Sequence, residues 1–176
     1  YLRSFGLMEV TGIDTIGETS GIFADEKSFN SNVVSLASYA FGQTFTVTPL
    51  QLIRAQAATI NGGYLYTPYL VSQVQDGSGN VISQHDSTPV RQVVSAETSA
   101  NVRKCLEYVV SDGTGKNGQV AGYRIGGKTG TADKTGDKEK MSWFPSMCFA
   151  PADNPQVIML ITMDSPSRTT GTYVSG

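Results

Sequence analysis

A chain of 176 residues, 39% of them hydrophobic, suits one domain or a large part of one and can bury a sizeable core. Its 13 basic and 15 acidic residues are spread along the chain and leave a net charge of −2. That balance excludes a disordered composition and removes any electrostatic case for nucleic acid or a membrane surface as partner. No run of 18 apolar residues exists to span a bilayer.

Residues 1–32 are rich in Gly, Thr, Ser and Asp and read as loop, with a turn of helix at the start. Residues 32–41 read as a short helix or an extended lead-in. Thr48-Pro49-Leu50-Gln51 is a helix start, with Thr48 as N-cap, Pro49 at the first helical position and Gln51 as capping-box partner. Leu50, Ile53, Ala57 and Ile60 follow at helical spacing and predict one apolar face. Asn61-Gly62-Gly63 ends that helix. Residues 64–74 read as extended, residues 76–80 as a turn, and Val81 to Gln84 as the returning arm of a hairpin. A second helix begins near Ser95, with Val102, Leu106 and Val109 or Val110 as its stripe, and stops at Ser111-Asp112-Gly113. Residues 113–122 form a glycine-rich loop.

The last third predicts three strands, at residues 123–132, 142–150 and 156–163, with a polar turn over 133–140. The run Val157-Ile158-Met159-Leu160-Ile161 is continuously apolar, which predicts burial on both faces, by helices of this chain or by a part of the domain outside it. Cys105 and Cys148 fit no metal-ligand spacing, and their apolar surroundings predict buried thiols. Tyr1-Leu2-Arg3 and Val174-Ser175-Gly176 read as cuts within a longer protein.

Three patterns compete for the chemistry. Residues 122–129, Gly-Tyr-Arg-Ile-Gly-Gly-Lys-Thr, match the phosphate-binding P-loop letter for letter. A loop precedes them where a buried strand is needed, and poor helix formers follow, so nucleotide binding is rejected. Residues 113–118 match the dinucleotide fingerprint but follow a helix, which makes them a helix stop and flexible loop. The third pattern is Lys128-Thr129-Gly130-Thr131, the Lys-Thr-Gly box of penicillin-recognising serine enzymes. On an edge strand such a box has backbone groups that a peptide-like substrate can pair with, and Gly130 lets it come close. The bland reading of Lys128 is a solvated lysine that guards a strand edge.

The flanking residues favour the box. Ser38-Tyr39-Ala40-Phe41-Gly42-Gln43, Val47-Thr48-Pro49-Leu50-Gln51-Leu52, Asn61-Gly62-Gly63 and Pro68 resemble the stretch before it in high-molecular-weight penicillin-binding proteins. Trp143-Phe144, Phe149-Ala150-Pro151-Ala152 and Asn154-Pro155 resemble the strand and turn after it. The resemblance covers nearly the whole chain and is greatest to the class B, monofunctional transpeptidases of division and sporulation. It implies an α+β, β-lactamase/transpeptidase-like fold with an antiparallel sheet and helices on both faces. Residues 1–176 would be the C-terminal portion of one such domain, without its C-terminal helix.

The resemblance also implies a serine D,D-transpeptidase that cross-links peptidoglycan stem peptides ending in D-Ala–D-Ala and is acylated by β-lactams. Lys128 and Thr131 would be catalytic, and Thr129, Gly130 and Thr131 would bind substrate, with no metal or cofactor. The implied location is the extracytoplasmic face of the membrane, behind an N-terminal anchor, beside other cell-wall synthesis proteins. The family's Ser-x-x-Lys nucleophile box is not found at any serine of the sequence. Ser-x-Asn occurs at Ser28, Ser78 and Ser99, none at the family's position. Both boxes are therefore expected before Tyr1, and the 176 residues alone are expected to form no penicillin adduct. A β-lactamase or β-lactam sensor domain, or a non-catalytic peptidoglycan-binding module, is the alternative.

Overall fold

The computed structural model describes residues 1–133 and 142–166. The expected polar turn over 133–140 falls almost wholly outside them, as do the residues after 166.

Residues 1–21 wrap as turns and loops, and two short helices follow, α1 (Glu26–Ser31) and α2 (Ser35–Ala40). Four rings pack this region. Phe23 stacks on Phe45 at 5.0 Å, while Tyr39 meets Phe29 edge-on and Phe45 at a tilt, each at 4.9 Å.

Helix α3 (Pro49–Ile60) starts and stops where the sequence predicts, with both bonds of the Thr48–Gln51 capping box present. Gly62 and Gly63 take φ of +96° and +93° after it. The buried face differs from the expected one. Gln51, Arg54, Ala55, Ala58 and Ile60 are buried, whereas Leu50, Ile53 and Ala57 are half-buried. Polar residues go inside because residues 1–21 lie on that face and need their backbone groups bonded.

Gln51 is fully buried, and its amide uses its whole bonding capacity. Its Nε2 donates to the carbonyls of Leu7 (3.3 Å) and Glu9 (2.7 Å), and its Oε1 accepts from Gly21 N–H (3.1 Å) and Thr48 N–H (2.9 Å). Arg54 Nε donates to Tyr66 O at 2.7 Å, and Glu9 bonds Arg91 at 2.7 Å.

Strands β1 (Tyr64–Leu65) and β4 (Arg91–Gln92) pair antiparallel beyond α3. β2 (Gln73–Gln75) and β3 (Val81–Gln84) form the expected hairpin. Helix α4 (Ala96–Ser111) is capped by Ser95, whose side chain accepts from Thr98 N–H. Ser99 is fully buried, donates to Thr59 O at 2.9 Å and accepts from Gly62 N–H at 3.0 Å. It is a tie between helices, which accounts for the serine of that Ser-x-Asn.

The main sheet is antiparallel. β7 (Ser142–Ala150) is central, with β8 (Val157–Asp164) along one side. β5 (Gly126–Thr129) and β6 (Ala132–Asp133) follow each other along the other side. The single strand expected over 123–132 is thus two segments, interrupted at Gly130 and Thr131. Ile60 of α3 and Leu106 of α4 pack on Met147 and Phe149, with Ile158 and Leu160 of β8 beside them.

Among the described residues β8 is packed on one face only, as expected if another part of the domain covers the other. Val157, Met159 and Ile161 are exposed, because β8 is an edge strand among the described residues and α3 and α4 meet the sheet on its other face. Cys105 is likewise exposed on α4, not buried; Cys148 is half-buried and burial raises its thiol pKa.

Replacing Gln51 by Ala strands four backbone groups at once, so a loss on the order of 3 kcal/mol or more is expected in urea unfolding. Asp14 accepts from Leu70 and Val71 N–H at 2.7 and 2.8 Å, and those bonds, Val71 foremost, hold its pKa below the ordinary value. Its contribution is complete above the unfolded pKa and is lost as pH falls through the lower folded one. An Asp14→Asn variant should therefore show a flatter decline of the unfolding midpoint in acid than the parent.

Candidate active site

The four candidate residues lie together on the outer edge of the sheet. Lys128 and Thr129 pair with Met147 and Ser146 of β7, and Gly130 and Thr131 fall in the break before β6. A strand at Gly126–Thr129 removes the P-loop reading on geometry, since no helix opens after the lysine.

Glycine is required here for a reason the sequence does not display. A Cβ on Gly126 would lie 2.3 Å from the Phe149 ring, one on Gly127 2.7 Å from Met147 O, and one on Gly130 3.0 Å from Pro145 O. All three let β5 and its continuation press onto β7. At Gly130 the bare Cα makes room for Pro145, a constraint separate from the expected close approach of substrate.

The side chains of the box differ in setting. Lys128 is exposed, and its Nζ donates to the backbone carbonyl of Thr129. Thr129 is half-buried, with Oγ1 3.3 Å from Thr114 Oγ1. Thr131 is exposed, and its carbonyl accepts from Gln43 Nε2 at 3.4 Å.

Gln43 comes from a loop that is itself fixed. Its N–H donates to Ser38 O at 2.8 Å, and Thr44, at φ +69°, bonds Ser38 Oγ at 3.0 Å. Beside the strand lies a groove of about 620 Å³. Phe41, Phe45, Leu52, Trp143 and Pro145 give it apolar walls, and residues 128–132 form its polar side. Sequence reasoning missed Thr114 and Gln43 as neighbours of the box. Both sat in recognised patterns, the rejected dinucleotide fingerprint and the Gly42-Gln43 pair, but only the fold brings them to the strand. Among the described residues no cluster of His, Cys, Asp and Glu could hold a metal.

Behind the strand, Arg124 joins three elements. It bonds Glu107 of α4 through Nε and Nη2 at 2.7 and 2.8 Å, and Asp153 of the β7–β8 turn at 2.9 Å. The bonds from Arg124 hold the Glu107 carboxylate pKa low and the guanidinium pKa is raised in turn.

An antiparallel sheet with Lys-Thr-Gly-Thr on its outer edge and an apolar groove alongside defines the class of the penicillin-recognising serine enzymes. The penicillin-binding protein transpeptidase domain matches residues 1–176, and the chain belongs to that family. It is 40% identical over 173 residues to stage V sporulation protein D of Bacillus subtilis, covering 96% of this chain and 26% of that protein. To PbpB of Mycobacterium tuberculosis it is 30% identical, covering 95% of this chain and 26% of that one. The chain therefore spans about a quarter of these relatives.

Among solved structures, penicillin-binding protein 3 of Mycobacterium tuberculosis complexed with aztreonam superposes with a TM-score of 0.86 at 30% identity, over 95% of this chain and 39% of that one. Penicillin-binding protein 2B of Streptococcus pneumoniae gives 0.77 at 26% identity, over 98% and 29%. The expected α+β, β-lactamase/transpeptidase-like fold and the class B kinship are both borne out.

Adding a methyl at Gly126 overpacks the β5–β7 contact. Gly126→Ala should cost about 1–3 kcal/mol in unfolding free energy. Combined with Phe149→Leu it should lose less than the sum of the two single changes, which a double-mutant cycle measures.

Proposed function

We propose that these residues form the substrate-presenting wall of a serine D,D-transpeptidase that cross-links peptidoglycan outside the cytoplasmic membrane. The observation that carries this reading is the Lys128–Thr131 edge strand, broken at Gly130-Thr131 and bordered by an apolar groove.

A stem peptide ending in D-Ala–D-Ala is an extended chain with a terminal carboxylate, and an edge strand suits it by backbone pairing. The hydroxyls of Thr129 and Thr131 bind that carboxylate. Lys128 places its ammonium beside the substrate and the catalytic hydroxyls. Unit charges about 4 Å apart attract by roughly 4 kcal/mol at an effective dielectric near 20. The Thr131 N–H supplies half of an oxyanion hole, a kind of donor typically worth about 3–4 kcal/mol in the transition state.

A serine hydroxyl attacks the penultimate D-Ala carbonyl and gives up its proton to a base. The C–N bond breaks, and the terminal D-Ala departs as an amine carrying a proton. An amine of a second stem peptide then displaces the serine oxygen, which regains its proton. β-Lactams mimic the dipeptide and stop at the acyl-serine. No Ser-x-x-Lys occurs in the 176 residues, so the nucleophile belongs to another part of the same protein. On this reading residues 1–176 are the C-terminal portion of the transpeptidase domain. The protein is anchored by an N-terminal segment and works among other cell-wall synthesis proteins.

Intact mass spectrometry with a labelled penicillin tests the proposal. The full-length protein should gain one adduct, on a serine outside residues 1–176, and these residues alone should gain none. Lys128→Ala in the full-length protein should slow acylation roughly a hundredfold. A stoichiometric adduct on the isolated chain, or parental acylation by the Lys128 variant, would refute it.

A further inference from the structure

The glycine-rich turn after α4 has a role that its sequence pattern conceals. Gly113 N–H donates to Tyr108 O at 3.1 Å, and Gly115 N–H donates to Val109 O at 3.0 Å. A Cβ on Gly113 would lie 2.8 Å from the Val109 backbone, and Gly115 is buried. Gln119 Nε2 closes the turn by donating to Val110 O and Ser111 O at 2.9 and 2.8 Å. Residues 113–115 are thus fastened to the end of α4 on both sides of one exposed residue, Thr114. That residue sets Oγ1 3.3 Å from Oγ1 of Thr129.

We infer that Thr114 is a positioning residue that orients the Thr129 hydroxyl as a donor to the substrate carboxylate. This inference rests on the proposed carboxylate role of Thr129. A hydroxyl has one proton and two lone pairs, so in a paired couple one hydroxyl gives and the other accepts. A carboxylate can only accept. When it binds at Thr129, the Thr129 proton must point to the anion, and the Thr114 proton then fills the Thr129 lone pair. The result is a one-way chain, Thr114 to Thr129 to carboxylate, in which each bond polarises the next. Without Thr114 the Thr129 hydroxyl rotates among solvent partners, and the anion must reorient it on binding.

The effect falls on recognition of the anion, not on bond breaking, because Thr114 acts through the Thr129 hydroxyl and not through the N–H of Thr131. The experiment uses the full-length protein with a penicillin and its methyl ester, which lacks the anionic charge. Pre-covalent Kd and acylation rate constant are measured separately by stopped flow. The parent should bind the acid more tightly than the ester. Thr114→Val should raise Kd for the acid about five- to tenfold, the weight of one hydrogen bond, leave the ester unchanged and leave the acylation rate constant within about twofold. Thr114→Ser, which keeps the hydroxyl, should stay within about twofold of the parent throughout.

Equal weakening of acid and ester by Thr114→Val, no weakening of the acid, or a serine variant as weak as the valine one overturns the inference. A parent that does not prefer the acid overturns the carboxylate role of Thr129 and this inference with it. A parent that is not acylated at all overturns the transpeptidase reading itself. Thr114→Ala serves as the second hydroxyl-free variant, with melting temperature recorded for each.

Discussion

The contact on which the site depends is the approach of β5 to β7. Phe149 is almost wholly buried, and its ring occupies the space a side chain at residue 126 would need. Gly127 and Gly130 repeat the arrangement against backbone oxygens of Met147 and Pro145. The three glycines carry the conformational entropy cost of ordering, and the buried aromatic core offsets it. The consequence for the site is positional. Lys128 and Thr129, between these glycines, are paired with β7 at a separation that a side chain at residue 126, 127 or 130 would not permit. On the proposed reading, the wall that meets the substrate thus stands on a strand fixed by packing.

Two loops then fix what the strand alone leaves loose. The Gly113–Gly115 turn reaches Thr129, and the Gly42–Thr44 loop reaches the carbonyl of Thr131. Each is tied to a helix end by its own backbone bonds, so each is ordered without a ligand. The same economy recurs away from the site. Gln51 satisfies four backbone groups from three segments, and Ser99 joins the end of α3 to the start of α4. Such buried polar ties add little net stability when intact and cost much when cut. They act chiefly by allowing only one arrangement of the loops around the helices.

Local signals made much of this legible in the sequence. The Thr48-Pro49-x-Gln51 cap, the Asn61-Gly62-Gly63 stop, the β2–β3 hairpin and the long β7 each depend on neighbours in the chain, and each stands where it was expected. The strand at Lys128 and Thr129 was legible for the same reason, though its break at Gly130 and Thr131 was not. Features set by distant partners were not. The inner face of α3 is polar because residues 1–21 lie on it, and no helical periodicity of Leu and Ile can announce that. The apolar run of β8 predicts two covered faces, but coverage is a property of what packs there. Cys105 lies in an apolar pattern and still faces solvent, since the pattern of α4 fixes a stripe and the packing decides its rotation. Thr114 is the sharpest case. Its pattern suggested only a flexible loop, and its meeting with Thr129 comes from a turn fastened to the end of α4 beside the sheet edge.

An exposed lysine on an edge strand is, by itself, as good a guard against aggregation as it is a ligand. What separates the two uses is the medium beside it. A guard lysine faces bulk water, where a charge on a neighbouring group is strongly screened. Lys128 instead borders a groove whose walls are Phe41, Phe45, Leu52, Trp143 and Pro145. On the proposed reading, a peptide lying along β5 would displace water from that groove and lower the dielectric around the ammonium, so its attraction for a carboxylate would grow as the peptide settles. The apolar walls would then do electrostatic work without carrying charge, and give a solvent-exposed lysine the weight of a partly buried one toward a bound anion.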